Sequence, residues 1–490
     1  MASLEHLEPL DAWFLSAENR LDHQHIAAVV ICEGPPPSLD AVRDSLSARL
    51  HRVPRFRQRL QSVPASLARP VWVDCPEIDL DYHVRRTAVP APGDRPALCE
   101  LVGLLLSNEL DRTRPLWESW LVEGLMGDRW ALIMKAHHAM VDGVAGVEVM
   151  AAVLDVEPQP APEQPPPWTP LPVPSSSTLV ADAALRMARQ PVASAAAVGR
   201  ALRHPARTLR RGASIARGVA DLVSVVRPTD THGLTGRVGP HRQWTWSEAS
   251  LEDVMAIREQ LGGTVNDILL AAITAGYRTF LLSRGQAIGD GDQLRTVVPV
   301  SVRDPSDPAT HANRVSVMLV DLPIGQSDPL ARLRRVQEQT RHHKATGEAA
   351  GGLALLGLLD AFPDPLVEAG TRAAATVLQT LVQRNVASVT TNVPGPPVPL
   401  YVMGRRVETL VPYVLVGEGL TTGVAMFSYD GHVTFGVTGD LDASPDVAVL
   451  AEGIAAGVDQ LIACLQAGPP LMSPATPRGS QPQHESVRDD

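Results

Sequence analysis

The chain has 490 residues, an apolar fraction of 44% and a formal net charge of −11. That length predicts about two to four domains' worth of structure, and the acidic balance argues against a general nucleic-acid binder. Cys32, Cys75, Cys99 and Cys464 are scattered without C-x-x-C spacing, which argues against a zinc site or disulfide frame and predicts reduced thiols in a cytoplasmic protein. In chain order, Met1 to Arg20 lacks a basic start followed by an apolar core, so no signal peptide is expected. No apolar run reaches about 18 residues, so no transmembrane helix is expected either.

Ile26 to Cys32 predicts a strand and Leu39 to Leu50 a helix. Trp130 to Lys135 predicts a strand that delivers a histidine pair, and Gly143 to Leu154 a helix after it. Glu157 to Pro174 holds nine prolines in eighteen residues; it cannot be helix or central strand and should be an extended connector. Between Ala181 and Arg227, nine arginines stand against Asp182 and Asp221. This is a basic element in an acidic chain.

The second half starts near Arg242, where Gln243 to Trp246 alternates like a strand. Ser250 to Asp253 reads as a capping box opening a helix through Leu261, ended by Gly262-Gly263. Another helix follows Thr264, with Asn266 and Asp267 in its first turn. Leu294 to Val302, Val315 to Leu322 and Ala387 to Asn392 predict strands, and Val424 to Tyr429 and His432 to Val437 flank the hairpin signal Asp430-Gly431. Ser444-Pro445 predicts the N-cap and first residue of a last amphipathic helix. The pattern is that of two layered α/β domains. Their expected limits are 1–156 and 242–467, with a proline-rich and basic crossover at 157–241 and a disordered tail at 468–490.

The run His137-His138-Ala139-Met140-Val141-Asp142-Gly143 carries the chemistry. Imidazole ionises near neutrality, so it can take a proton from an alcohol and return it. Successive residues at a strand end point to opposite sides, so both rings line one site only if the chain turns between them. His138 is the better match to an H-x-x-x-D unit. Asp142 would hold a turn or pair with an arginine, and Gly143 would let the backbone bend. The alternative is an ordinary pair of partly buried histidines before a helix capped by Asp142. The H-x-x-x-H spacing of a helical metal site is absent, so no metal is expected. Neither a G-x-S-x-G elbow nor a histidine beside a cysteine occurs, which gives a covalent hydrolase little support.

Ordered blocks along the chain resemble the bacterial wax ester synthase/acyl-CoA:diacylglycerol acyltransferase family. They are Pro9 to Leu15, Arg114-Pro115-Leu116-Trp117-Glu118, the histidine run, Val265-Asn266-Asp267-Ile268-Leu269, Val298 to Arg303, and Thr391-Asn392-Val393-Pro394-Gly395-Pro396. The resemblance implies two chloramphenicol-acetyltransferase-like domains with a tunnel at their interface. It implies direct acyl transfer from acyl-CoA to diacylglycerol, or to a long-chain alcohol, with no cofactor and no acyl-enzyme.

The candidate catalytic residues are then His138, His137, Asp142 and Asn266, supported by Gly143 and Asp267. Asn266 would donate to the oxyanion, although Asn266-Asp267 would equally serve as a helix N-cap pair. Pro115, Leu116 and Trp117 are expected to be structural. Arg303 either pairs with Asp142 or is solvated, and His342-His343 is expected on a charged surface helix. The arginine-rich stretch Arg186 to Arg217 is expected either to meet anionic lipid or to cover the domain seam as a solvated connector. The implied location is cytoplasmic, peripheral to the inner face of the plasma membrane or to lipid droplets. The alternatives are a non-catalytic lipid-binding relative and a condensation-type acyltransferase.

Overall fold

The computed structural model describes residues 4–140, 150, 153–161, 165–188, 229–301, 315–346, 385–417 and 419–466. The first half supplies β1 (Glu5–His6), β2 (His25–Glu33), β3 (Gln58–Gln61), β4 (Val71–Asp74), β5 (Val84–Ala88), β6 (Trp117–Leu125) and β7 (Arg129–His137). Its main helices are α1 (Pro9–Ala17), α2 (Leu39–Arg49) and α3 (Arg95–Leu106). The second half supplies β8 (Arg242–Ser250), β9 (Leu294–Ser301), β10 (Val315–Leu322), β11 (Ser388–Val393), β12 (Tyr401–Val402), β13 (Arg405–Tyr413), β14 (Thr422–Tyr429) and β15 (His432–Asp440). Its helices are α4 (Leu251–Leu261), α5 (Val265–Ser283), α6 (Pro329–Thr346) and α7 (Val447–Gln466).

Two six-stranded sheets dominate, in the orders β12-β13-β2-β7-β6-β5 and β10-β9-β11-β14-β15-β8, beside a small sheet β1-β4-β3. In the first, only β5 and β6 run parallel; in the second, β11 runs parallel to both β9 and β14. The central strand β7 has apolar residues on both faces, as a strand covered on both sides must. Trp130, Leu132, Met134 and Ala136 enter one core with Val42 and Leu46 of α2. Ala131 and Ile133 enter another with α3, Trp244 and Trp246. The second sheet is covered by α5 and α7.

The sheet boundaries do not follow the sequence halves. β13 pairs antiparallel with β2 over Val407↔Cys32 to Tyr413↔Ala27. Residues 401–413, placed in the second domain by sequence, therefore complete the first sheet. Local periodicity carries no information about which strand a segment pairs with.

Other elements match their signals closely. Ser250 caps α4 through the Asp253 N–H at 3.3 Å, and Gly262 ends it at φ 73°. Asp430 and Gly431 turn the β14–β15 hairpin at φ 43° and 84°. The last helix begins at Val447, not at Pro445. Ser444 is fully buried and its hydroxyl donates to Thr421 at 3.2 Å, so it is anchored in the core and does not cap. The described part of 157–174 has no helix or strand. Among the described residues, two helices, α5 and α7, are long and apolar enough to cross a membrane; they pack on each other and put their apolar faces into the second core.

The two sheets meet where β13 crosses β15. Thr434 Oγ1 donates to the Leu410 carbonyl at 2.7 Å. A Cβ on Gly436 would collide with the Pro412 carbonyl. Gly436→Ala should therefore cost about 1–3 kcal/mol by overpacking, read as a lower urea midpoint; an unchanged midpoint would show slack at this junction.

Candidate active site

The site begins where β7 ends. After His137 the chain enters a short 3-10 turn, His138–Met140, and that turn separates the two imidazoles. His137 is completely buried, on the Lys135 face of the strand, whereas His138 is half-buried.

His137 acts as a strut. Its N–H donates to the Leu116 carbonyl at 2.9 Å. Its Nδ1 accepts the Ala139 N–H at 3.0 Å, which assigns the ring proton to Nε2. Nε2 lies 3.5 Å from Glu18 Oε2. Glu18, just after α1, was not singled out by the sequence reading. Its side chain is only 5% exposed. Arg112 donates to Oε2 through Nε at 3.0 Å and Nη2 at 2.6 Å, and the Gln24 N–H donates to Oε1 at 3.3 Å. Burial alone would raise this carboxyl, but His137 and Arg112 outweigh it and hold the pKa at about 2. The Gln24 carbonyl in turn accepts the His138 N–H at 2.8 Å. One carboxylate thus holds both sides of the histidine turn.

His138 lies face to face on Phe14 of α1, with ring centroids 3.8 Å apart and planes 17° apart. Its Nδ1 is buried without a hydrogen-bond partner from another described residue. Burial pushes the imidazole down to about 4, so the ring is neutral at pH 7 and can accept a proton. Asp142 and Gly143 lie outside the described residues, as do Arg303 and most of the helix expected over Gly143 to Leu154. Trp117 is buried and its indole N–H donates to the Phe56 carbonyl at 3.0 Å, so this block does structural work.

In the second half, α5 is capped by Thr264, not by Asn266-Asp267. The Thr264 hydroxyl accepts the Asp267 N–H at 3.3 Å and Asp267 Oδ2 accepts the Thr264 N–H at 2.7 Å. This reciprocal box uses a signal that was present in the sequence as T-x-x-D. Asp267 also accepts the Thr340 hydroxyl at 2.7 Å and is buried. Asn266, relieved of capping, is half-buried and accepts a hydrogen bond on Oδ1 from Asn392 Nδ2 at 3.4 Å. Val393, next to Asn392, packs against the core that holds Met140, two residues beyond His138. His342, on α6, is exposed.

Burial raises the thiols of Cys32, Cys75 and Cys99, which removes them as nucleophiles at neutral pH. Among the described residues, no group of three His, Cys, Asp or Glu is arranged to hold a metal. A surface concavity of about 470 Å³ beside β1 is lined by Leu4 to Glu8, Arg69 and Arg186 and shares no residue with the histidine turn.

Two sheets locked across a seam, with a half-buried histidine at the end of a central strand, make a two-domain α/β architecture. The wax ester synthase/diacylglycerol acyltransferase catalytic domain is matched over residues 7–269, and the corresponding C-terminal domain over 311–461. A probable diacylglycerol O-acyltransferase of Mycobacterium tuberculosis is 37% identical over 94% of this chain and 96% of its own length. The structure of a wax ester synthase/diacylglycerol acyltransferase from Marinobacter aquaeolei superposes with a TM-score of 0.67 at 24% identity, covering 95% of this chain and 100% of that one. The first condensation domain of the calcium-dependent antibiotic synthetase gives 0.58 at 15% identity, covering 94% of this chain and 97% of that one, which is a likeness of fold. The chain belongs to the wax ester synthase/diacylglycerol acyltransferase family.

Glu18→Gln keeps the shape and removes the charge. A carboxyl held at about 2, below its ordinary 4.5, stabilises the fold above pH 4.5, and that contribution is lost as pH falls toward 2. The variant should be less stable at pH 7 by about 3 kcal/mol, and the gap to wild type should close toward pH 2. Urea midpoints at a series of pH values measure this; a constant gap would contradict it.

Proposed function

We propose that this chain transfers a long-chain fatty acyl group from acyl-CoA to diacylglycerol, with a long-chain alcohol as a second acceptor. His138 takes the proton of the acceptor hydroxyl while its oxygen attacks the thioester carbonyl. The new C–O bond gives a tetrahedral oxyanion, which receives a hydrogen bond from Asn266. Collapse breaks the C–S bond, and His138 returns its proton to the departing CoA thiolate. His137 touches neither substrate in this scheme; it holds the turn. Asp142 and Gly143 support the same turn. Acyl-CoA and the alcohol meet in a tunnel along the seam, and no cofactor takes part.

The observation that carries this reading is the neutral, half-buried ring of His138, pinned by Phe14 on one face and by Gln24 at its backbone. With Nδ1 turned into the protein, Nε2 is the atom that meets the hydroxyl. The acceptor is reached at a membrane or lipid-droplet surface on the cytoplasmic side. The helical stretch 176–188 supports this: Leu179 and Ala183 are buried against the small sheet, while Leu185 and Met187 are 48% and 42% exposed. Substituting Glu at both should reduce co-sedimentation with anionic vesicles, and unchanged binding would remove this stretch from the docking surface.

Labelled palmitoyl-CoA offered with diacylglycerol or hexadecanol tests the activity directly. His138→Ala should lower turnover by about 10²–10⁴-fold or more while the protein stays folded; retained turnover would overturn the assignment. No product from either acceptor with the wild type would favour a lipid-binding role. With the imidazole at about 4, the rate should be flat from neutral pH down to about 5 and fall only below that. An acid limb at about 6.5 would mean an ordinary, solvated histidine.

A further inference from the structure

We infer that Asn392 is a positioning residue that sets which end of the Asn266 amide faces the reacting carbonyl. The inference rests on the oxyanion role proposed for Asn266. A side-chain amide has a donor end and an acceptor end, and the helix position of Asn266 does not choose between them. Turned one way, its NH₂ stabilises an oxyanion; turned the other, its carbonyl oxygen repels it. Asn392 Nδ2 donates to Asn266 Oδ1 at 3.4 Å. That contact engages the acceptor end and leaves the donor end to point away from Asn392.

The placement of Asn392 is built into the second sheet. Ser388, Thr390 and Asn392 alternate along β11 and share one face. At the buried end of that face, Tyr277 of α5 hydrogen-bonds the Ser388 hydroxyl and meets Thr422 Oγ1 at 3.2 Å. Thr296 Oγ1 joins Thr390 at 2.9 Å and donates to the Ser388 carbonyl at 3.1 Å. Tyr277 follows Asn266 by about three helical turns, so the two lie on one face of α5. The buried hydroxyl cluster therefore fixes the register of β11 against α5, and the same register brings Asn392 onto Asn266 at the open end. Just beyond, Gly395 N–H donates to Ser428 Oγ at 3.1 Å, and a Cβ there would collide with the Ser428 carbonyl. The Asn392-Val393-Pro394-Gly395-Pro396 block thus holds the end of β11 close against β14. No step of the proposed reaction otherwise uses it.

Asn392→Asp is nearly isosteric but cannot donate when ionised. It invites the Asn266 NH₂ toward itself and turns the carbonyl oxygen outward. At pH 7.5 its kcat should fall about 10²–10³-fold, the loss typical of one oxyanion donor, with KM for palmitoyl-CoA within about twofold of wild type. Asn392→Ala should cost less, about tenfold in kcat, and should cost nothing further when combined with Asn266→Ala. A merely structural Asn392 predicts the reverse: Ala at least as harmful as Asp, and an equal loss in the Asn266→Ala background. Any of these overturns the inference. Should Asn392→Asp not fold, the Ala pair decides alone. Asn266→Ala separates the two readings: wild-type kcat there removes the oxyanion role itself. A large loss there beside an unimpaired Asn392→Asp removes only the positioning role.

Discussion

A charged carboxylate inside a nearly dry interior needs donors and compensating charge around it, and the groups that Glu18 gathers come from three separate parts of the chain. Arg112 supplies the countercharge and Gln24 a backbone N–H, and His137 Nε2 stands 3.5 Å away. Two of these groups have a second duty. His137 holds the Ala139 N–H and Gln24 holds the His138 N–H. The geometry of the histidine turn is thus a by-product of satisfying one negative charge. That explains why two adjacent histidines differ, one a sealed strut and one a half-buried ring.

The remaining architecture brings a second half to that turn. Arg242, at the start of β8, donates to the Leu21 carbonyl at 2.7 Å, and its N–H donates to Ser107 Oγ at 2.9 Å. Arg95 reaches back from α3 to the Trp246 carbonyl and lies over its ring. β13 fills the first sheet, and Phe427 and Tyr429 of β14 enter the first half's core. The seam is therefore made of shared core, not of two finished surfaces in contact.

What could be read from the sequence was what neighbours in the chain decide. The Asp430-Gly431 hairpin, the cap at Ser250 and the apolar runs of β2 and β7 depend on local chemistry, and each is found within a residue or two of expectation. That a strand delivers the histidine pair was legible for the same reason, whereas the turn at His138–Met140 that splits the two rings was not. Glu18 was not, since its partners His137 and Arg112 are remote in sequence and a lone glutamate after a helix carries no mark of burial. The place of Asn266 in the first turn of α5 was legible, because a helix was expected after Thr264. The oxyanion role proposed for it came only from the resemblance. The pairing of β13 with β2 had no local trace at all.

That pairing has a consequence for how the protein is made. β2 leaves the ribosome early, whereas its partner β13 emerges only after nearly the whole chain has been translated. Until then the outer edge of β2 presents unpaired backbone groups, a template for any other extended peptide. Closure waits on a contact between distant parts of the nascent chain, the slowest kind to form, and incomplete polypeptides are the species at risk of self-association. A chain cut before residue 405 would thus lack a strand of the sheet that bears the histidine turn, and the damage would be felt far from the missing residues.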